Sequence, residues 1–372
     1  MDLILVAVIA SALFFNFTNG FHDTANAIAT IVSTKALSPR TAVIGASVLN
    51  LAGAFISLNV AATIAGDIVN PIAVTLPTIL AGLVGAIIWN LLTWRVGMPS
   101  SSSHALIGGL GGAAVMSAGW DVIQWHELNT KVLAPSVISP FIGLAGAAVV
   151  MFIIILVIRR RGQKPATDKA FRRLQLLSGG FVALMHGTND AQKTMGLISL
   201  ALITVSADKT FNVPLWVIIA SAAAMAAGTW MGGWRIIKTI GEKITKLEPS
   251  QGFAAQTATA VTLGVTSHFG LPVSTTQTIS GSIVGAGMAT KLSSVNWTVI
   301  GHIALAWLIT IPCAAAMGAI ADLITGLPHG AGILLLLLTV IALTIYLTRN
   351  WTWETRAQIK TLLELLRRNR GR

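Results

Sequence analysis

Two short polar runs in this chain hold most of the side chains able to do chemistry. The first is Asn19-Gly20-Phe21-His22-Asp23-Thr24-Ala25-Asn26, set between the apolar stretches LILVAVIASALFF and AIATIV. The second is Met185-His186-Gly187-Thr188-Asn189-Asp190-Ala191-Gln192-Lys193, also flanked by apolar sequence. Aligning Gly20 with Gly187 pairs His22 with Asn189, Asp23 with Asp190 and Asn26 with Lys193. Ionisable residues at membrane depth are costly and mark a functional site. Carboxylates, the amides of Asn19, Asn26 and Asn189, and unwound backbone carbonyls are hard oxygen ligands for a small cation. Both runs are therefore expected to interrupt their helices. His22 adjoins Asp23, and imidazole titrates in the physiological range, so a proton is an equally good coupling ion on these residues.

A second matched pair has different chemistry. Gly97-Met98-Pro99-Ser100-Ser101-Ser102-Ser103-His104 leads into Gly108 and Gly112, and Gly270-Leu271-Pro272-Val273-Ser274-Thr275-Thr276-Gln277 leads into Gly281 and Gly285. Each reads as a helix start, with proline before the first turn and a hydroxyl residue to cap it. Free N–H groups and the positive dipole end make such a turn an anion site. Ser101, Ser102, Ser103, Ser274, Thr275 and Thr276 add donors without adding charge. Two starts facing each other from the two halves would cradle a small oxyanion. Bare Asp23 and Asp190 would repel that anion, so a cation or proton on them makes its binding favourable. Lys193 either adds a fixed positive charge toward the anion or forms a salt bridge to Asp190. Ser103 and His104 are adjacent and cannot face each other on a helix, so they form no dyad. The chain has no Gly-x-Ser-x-Gly elbow and no Walker-A sequence, and an enzyme is not expected.

The elements that carry these residues are membrane-grade. The 372 residues are 54% hydrophobic and 10% charged, with a mean hydropathy of +0.76. A soluble chain carries about 25% charged residues. Apolar segments fall at 3–18, 24–34, 41–61, 78–94, 102–119 and 137–158, then at 174–188, 191–206, 214–234, 251–268, 275–290, 297–325 and 331–348. Several reach the roughly 20 residues a spanning helix needs. The fold class is an all-α polytopic membrane protein with two inverted-topology repeats and broken or re-entrant helices. The first repeat covers 1–158, a basic linker 159–173, the second repeat 174–330, an additional transmembrane helix 331–348, and a basic amphipathic tail 349–372.

Spacing and charge support the inversion. From Asp23 to Pro99 is 76 residues and from Asp190 to Pro272 is 82. Loop 62–77 has no lysine or arginine, whereas its counterpart 235–250 holds Arg235, Lys238, Lys243 and Lys246. By the positive-inside rule equivalent loops then face opposite sides. The linker, with seven basic residues, and the tail face the cytoplasm, and the N-terminus lies outside a cell (inner) membrane. The net charge of +12 reflects topology and anionic lipid, not nucleic acid. The single cysteine, Cys313, can form no internal disulfide and excludes a cysteine cluster. The N-terminal apolar stretch has no basic region before it and no small-residue cleavage site, and reads as a retained segment.

The segments NGFHDTANA (19–27), GMPSSSSH (97–104), HGTNDAQK (186–193) and GLPVSTTQ (270–277), with GEKI (241–244) and QGFAAQ (251–256), closely resemble the paired signatures of the inorganic phosphate transporter (Pit) family. The resemblance runs over about residues 10–325. The His-Asp pair is similar to the bacterial proton-coupled branch, whose members carry phosphate with protons as a neutral metal–phosphate complex. The resemblance implies phosphate at Ser101, Ser102, Ser103, Ser274, Thr275 and Thr276. It implies coupling-ion contacts at Asp23, Asn26, Asn189 and Asp190; in the reading of the residues themselves His22 joins these for protons, sodium is the metal alternative there, and Lys193 stands toward the phosphate. A homodimer is carried by the resemblance alone. Gln277 departs from the family's usual histidine, which removes a symmetric role with His104.

The expected function is secondary active import of inorganic phosphate by symport with H+ or Na+, the phosphate complexed with Mg2+ in one version, and with no resident cofactor. A sulfate or arsenate permease of the same family is the nearest alternative, and a passive anion channel the alternative of another class. A protonated phosphate needs an acceptor for its P–OH hydrogen, which Asp23 or Asp190 supplies. A passive pore has no reason to keep two buried aspartates.

Overall fold

The computed structural model describes residues 3–159, 164–206 and 210–348; the expected tail at 349–372 lies outside the described residues. The described chain is helical almost throughout. The first half holds α1 (Leu3–Ser33), α2 (Pro39–Gly53), α3 (Asn59–Gly66), α4 (Leu76–Val96), α5 (Ser102–Ala118), the short α6 (Trp125–Glu127) and α7 (Ala134–Arg159). The second holds α8 (Lys164–Val205), α9 (Leu215–Met231), α10 (Trp234–Lys238), α11 (Pro249–His268), α12 (Thr275–Thr290) and α13 (Trp297–Thr325), and α14 (Ala331–Thr348) follows.

Among the described residues, five stretches are long and apolar enough to cross a membrane: α1, α4, Trp125–Val157 through α7, α13 and α14. A sixth is the bent pair Leu215–Met231 and Trp234–Lys243, which turns by 61°. Phe141, Phe152, Leu308, Leu323, Leu338 and Ile345 are each more than half exposed. Water would penalise these side chains, whereas lipid tails do not, so these faces of α7, α13 and α14 are the lipid contact.

Packing is closed under exchange of the halves. α1 lies on α9 as α8 lies on α2, and α4 packs on α5 as α11 packs on α12. The last long helix of each half crosses over, α13 against α4 and α5, α7 against α11 and α12. Each half thus covers the helical hairpin of the other. α5 and α12 have 17 and 16 residues, about 25 Å at 1.5 Å per residue, short of the ~30 Å hydrocarbon core. They enter from hairpin corners inside the protein.

Those corners match atom for atom. Gly97 and Gly270 both take φ of +69°, a left-handed conformation that glycine adopts without strain. Met98 N–H donates to Thr93 C=O at 2.9 Å, and Leu271 N–H to Thr266 C=O at 2.8 Å. Ser100 and Val273 then close the second turn on Met98 and Leu271, both at 2.9 Å. Pro99 and Pro272 lie within these turns, and the next helix starts three residues after each.

The interruptions expected at Asn19–Asn26 and Met185–Lys193 are not there. α1 and α8 run through them as continuous helix. The physical reason is lateral satisfaction: neighbouring helices approach closely enough to meet the polar side chains, so the backbone keeps its own hydrogen bonds. Gly20 lies against the backbone of Met225 and Gly228, and Gly187 against the backbone of Asn50. No unwound carbonyls are available here as ligands. The breaks fall instead at the two hairpin corners, between α2 and α3 within the expected segment 41–61, and at Gly232-Gly233. The basic linker is a boundary of composition more than of backbone, because residues 164–173 are already helical in α8.

Candidate substrate and coupling-ion site

α1 and α8 bring their polar runs to the centre of the protein, where the first turns of α5 and α12 meet them. Asp23 and Asp190 are 3% and 1% exposed, and Asn19, His22, Asn26, His186, Asn189 and Lys193 are buried with them. Ser101 caps α5 by accepting from His104 N–H at 3.2 Å, and Ser274 caps α12 by accepting from Gln277 N–H at 3.3 Å. The caps leave the next two residues of each helix facing the carboxylates.

The contacts repeat across the two halves. Ser102 Oγ donates to Asp23 Oδ1 at 3.2 Å, and Thr275 Oγ1 donates to Asp190 Oδ1 at 3.4 Å. Asn26 Nδ2 donates to Thr276 Oγ1 at 2.9 Å, and Lys193 Nζ donates to Ser103 Oγ at 2.5 Å. Thr276 also reaches Asp23 Oδ1 at 3.5 Å. Gln277 Nε2 and His104 Nδ1, on equivalent positions, meet at 3.4 Å. The site is therefore built on a local two-fold relation, with both halves supplying both the anion-facing hydroxyls and the carboxylates.

The two carboxylates have different neighbours. Asp190 is ion-paired with Lys193, one helical turn on, and Asn19 Nδ2 donates to its second oxygen at 3.4 Å. His186 Nε2 stands 3.1 Å from the same oxygen, with its Nδ1 3.2 Å from Asn50 Oδ1. Asp23 has His22 Nδ1 at 2.7 Å from Oδ1. His22 Nε2 lies 3.1 Å from Thr93 Oγ1 and 3.3 Å from Ser100 Oγ. Thr93 gives its own hydrogen to the Trp89 carbonyl at 2.9 Å, so it can accept from a protonated His22. Ser100 Oγ donates to Thr93 Oγ1 at 2.9 Å and can turn its hydrogen to a neutral His22 instead. Both protonation states of His22 have partners.

A cation can also be held here. One ligand atom each from Asp23, His186 and Asp190 lies within 4.8 Å of the others. The side-chain carbonyl oxygens of Asn19, Asn26 and Asn189 are buried without hydrogen-bond partners. Buried polar atoms are normally satisfied, and hard oxygens left open beside carboxylates fit a small hard cation. Asn189 is held by donating to Ser267 Oγ at 3.2 Å and to Leu271 C=O at 3.5 Å, which ties α8 to the second hairpin corner.

All twelve residues singled out in the sequence for substrate or coupling ion are buried in and around this centre. The partners Thr93, Ser100 and Asn50 had no signal in spacing; His186 had one, four residues before Asp190 on the same helix face. Thr93 and Asn50 are polar residues in largely apolar helices, and only packing shows which way they reach.

This fold and this buried centre define a multi-pass membrane transporter built from two inverted repeats. The sequence profile of the phosphate transporter family matches the chain twice, over residues 19–167 and 157–318, and the chain belongs to that family. It is 46% identical over 350 residues to a probable low-affinity inorganic phosphate transporter of Mycobacterium leprae, covering 92% of this chain and 84% of that one. It is 49% identical over 320 residues to a protein of the same description from Rhizobium meliloti, covering 85% and 95%. The corresponding Bacillus subtilis protein is 45% identical over 328 residues, covering 86% and 98%. A solved structure described as the sodium-dependent phosphate transporter has a TM-score of 0.77 and 24% identity, covering 87% of this chain and 99% of that chain, a likeness of fold.

Proposed function

We propose that this chain imports inorganic phosphate by symport with a cation, the anion resting between the first turns of α5 and α12. The observation that carries the reading is the pairing of Asp23 and Asp190. Each accepts from the first helical residue of a serine or threonine helix start, Ser102 on Asp23 and Thr275 on Asp190. A cation or proton on the carboxylates frees those hydroxyls and lowers the repulsion an anion would meet. Family membership and the description shared by the relatives support phosphate as the anion. The acceptor capacity of Asp23 for a P–OH hydrogen favours it over fully deprotonated sulfate or a sulfate-type permease. Alternating access would follow from rocking of the two halves around a fixed site.

The coupling ion is a proton in the primary reading, supported by His22 having a partner in either protonation state. Sodium is the second reading, supported by the open carbonyl oxygens of Asn19, Asn26 and Asn189 beside Asp23 and Asp190. The basic loops support a cytoplasmic linker and tail and an external N-terminus.

The test uses purified protein in sealed liposomes with labelled phosphate, a pH gradient or a sodium gradient imposed separately, with and without magnesium. Uptake driven by pH supports the proton reading, and a requirement for magnesium supports a metal–phosphate complex. Uptake driven only by sodium transfers the coupling role to the oxygen ligands. Uptake that needs no gradient, or that excess sulfate blocks, overturns the proposal in favour of a channel or a sulfate permease.

A further inference from the structure

The local two-fold relation makes each half a control for the other, and one pair of equivalent positions breaks it in charge. Asn26 and Lys193 occupy the same place in the two halves. Each donates to the hydroxyl at the second helical position of the opposite helix start: Asn26 to Thr276 at 2.9 Å, Lys193 to Ser103 at 2.5 Å. Each lies three residues after its carboxylate. Beyond that they part. Lys193 carries its ammonium onto Asp190 Oδ1, forming an ion pair with both side chains at most 1% exposed. Asn26 brings no charge to Asp23, and its own Oδ1 is buried with no partner.

Burying a carboxylate unpaired costs several kcal/mol, and an opposite charge must offset it. In the second half that charge is covalently attached. In the first half the partners of Asp23 among the described residues are His22, Ser102 and Thr276, with no lysine or arginine among them. His22 brings charge there only when it takes up a proton, which is itself an exchangeable ion. Asn26, three residues on from that carboxylate, has a buried side-chain oxygen without a hydrogen-bond partner. We propose that Lys193 is a tethered substitute for one of two coupling cations, so that one exchangeable cation, bound at Asp23 and Asn26, is carried per phosphate. This rests on the symport reading and deepens it by fixing the charge count. Lys193 then stays in place through the cycle, holding Ser103 oriented and Asp190 neutralised in both the loaded and empty states. The substitution sets how many cations move and leaves the anion cradle common to both halves.

The experiment compares wild type with Lys193→Asn and Asn26→Lys in proteoliposomes. The readout is the charge moved per phosphate, obtained from the voltage at which net flux reverses. Lys193→Asn restores the arrangement of the first half in the second. It is expected to add one positive charge per phosphate and to steepen the dependence of rate on the driving cation from first order to about second order. Asn26→Lys fills the remaining place and is expected to abolish the dependence of phosphate flux on the cation gradient. Equilibrium binding of labelled sodium to the purified variants supplies a count that does not need turnover. Lys193→Asn should bind one more sodium per chain than wild type. Failure of wild type to move phosphate on any cation gradient would sink the symport reading itself. Wild-type uptake with an unchanged charge ratio and an unchanged sodium count in Lys193→Asn would overturn the tethered-cation inference alone. Retention of cation-driven accumulation by Asn26→Lys would overturn it independently.

Discussion

Replacing Asp23 with asparagine separates charge from shape at the carboxylate of this centre that has no lysine or arginine partner among the described residues. Asp23 is 3% exposed, so water screens it little. At the effective protein dielectric of about 20, a cation about 4 Å from a carboxylate gains about 4 kcal/mol. Every 1.4 kcal/mol is tenfold in affinity, so loss of this charge should weaken cation binding about a thousandfold. The two aspartates also repel. Ligand oxygens of the two aspartates lie within 4.8 Å of each other; Lys193 offsets the charge of Asp190, and a coupling cation relieves what is left at Asp23. In Asp23→Asn the repulsion is gone without any cation. Phosphate binding should therefore persist and lose its cation dependence, because Asn still offers an oxygen to Ser102. The assay has two arms: accumulation of labelled phosphate against a gradient, expected to be lost, and phosphate–phosphate exchange at equal concentrations, expected to remain. Parental accumulation by the variant, or a parental dependence of phosphate affinity on the cation, would refute the electrostatic coupling argument.

Other expectations follow from the same geometry. Asp190→Asn leaves the Lys193 ammonium buried and unpaired, which costs about 3–5 kcal/mol. In detergent its thermal unfolding should come well below that of Asp23→Asn, and Asp190→Asn combined with Lys193→Met should regain most of the loss. Ser102→Ala with Thr275→Ala removes one first-turn hydroxyl from each half. The pair should weaken phosphate affinity more than either single change, and parental binding by the double variant would end the cradle proposal. Gly187→Ala drives a methyl group into the backbone of Asn50. Overpacking of this kind costs about 1–3 kcal/mol, so yield and thermal stability should fall, with Gly45→Ala, which meets open space, as the control. His22→Gln keeps a polar side chain beside Asp23 but cannot take up a proton. It should reduce pH-driven uptake while sparing phosphate–phosphate exchange, and unchanged pH-driven uptake would remove His22 from the proton route.

Much of this protein was legible in its sequence because the membrane narrows the options. Long apolar runs can only be helices there, since the backbone has no water to satisfy it. Polar residues inside those runs had to be partnered, which marked Asp23, Asp190 and their neighbours before any coordinates. The repeated Gly-x-Pro-x-Ser corners were equally readable, because left-handed glycine and N-terminal hydroxyl caps are local chemistry.

Tertiary structure decided what local chemistry leaves open. Sequence suggested that helices break at the polar runs; packing kept α1 and α8 whole, because Asn50, Thr93, Ser102 and Thr275 come from other helices to meet those side chains. The swap by which α7 and α13 cover the opposite hairpins is likewise invisible in one chain's periodicity. The two roles open to Lys193 illustrate the limit most directly. Its position beside Asp190 is sequence, one turn along a helix. Its reach across to Ser103, while Asn26 reaches to Thr276, exists only because two distant helix starts converge on one point. Intrahelical neighbours are fixed by the 3.6-residue period; contacts between halves depend on how the whole bundle closes.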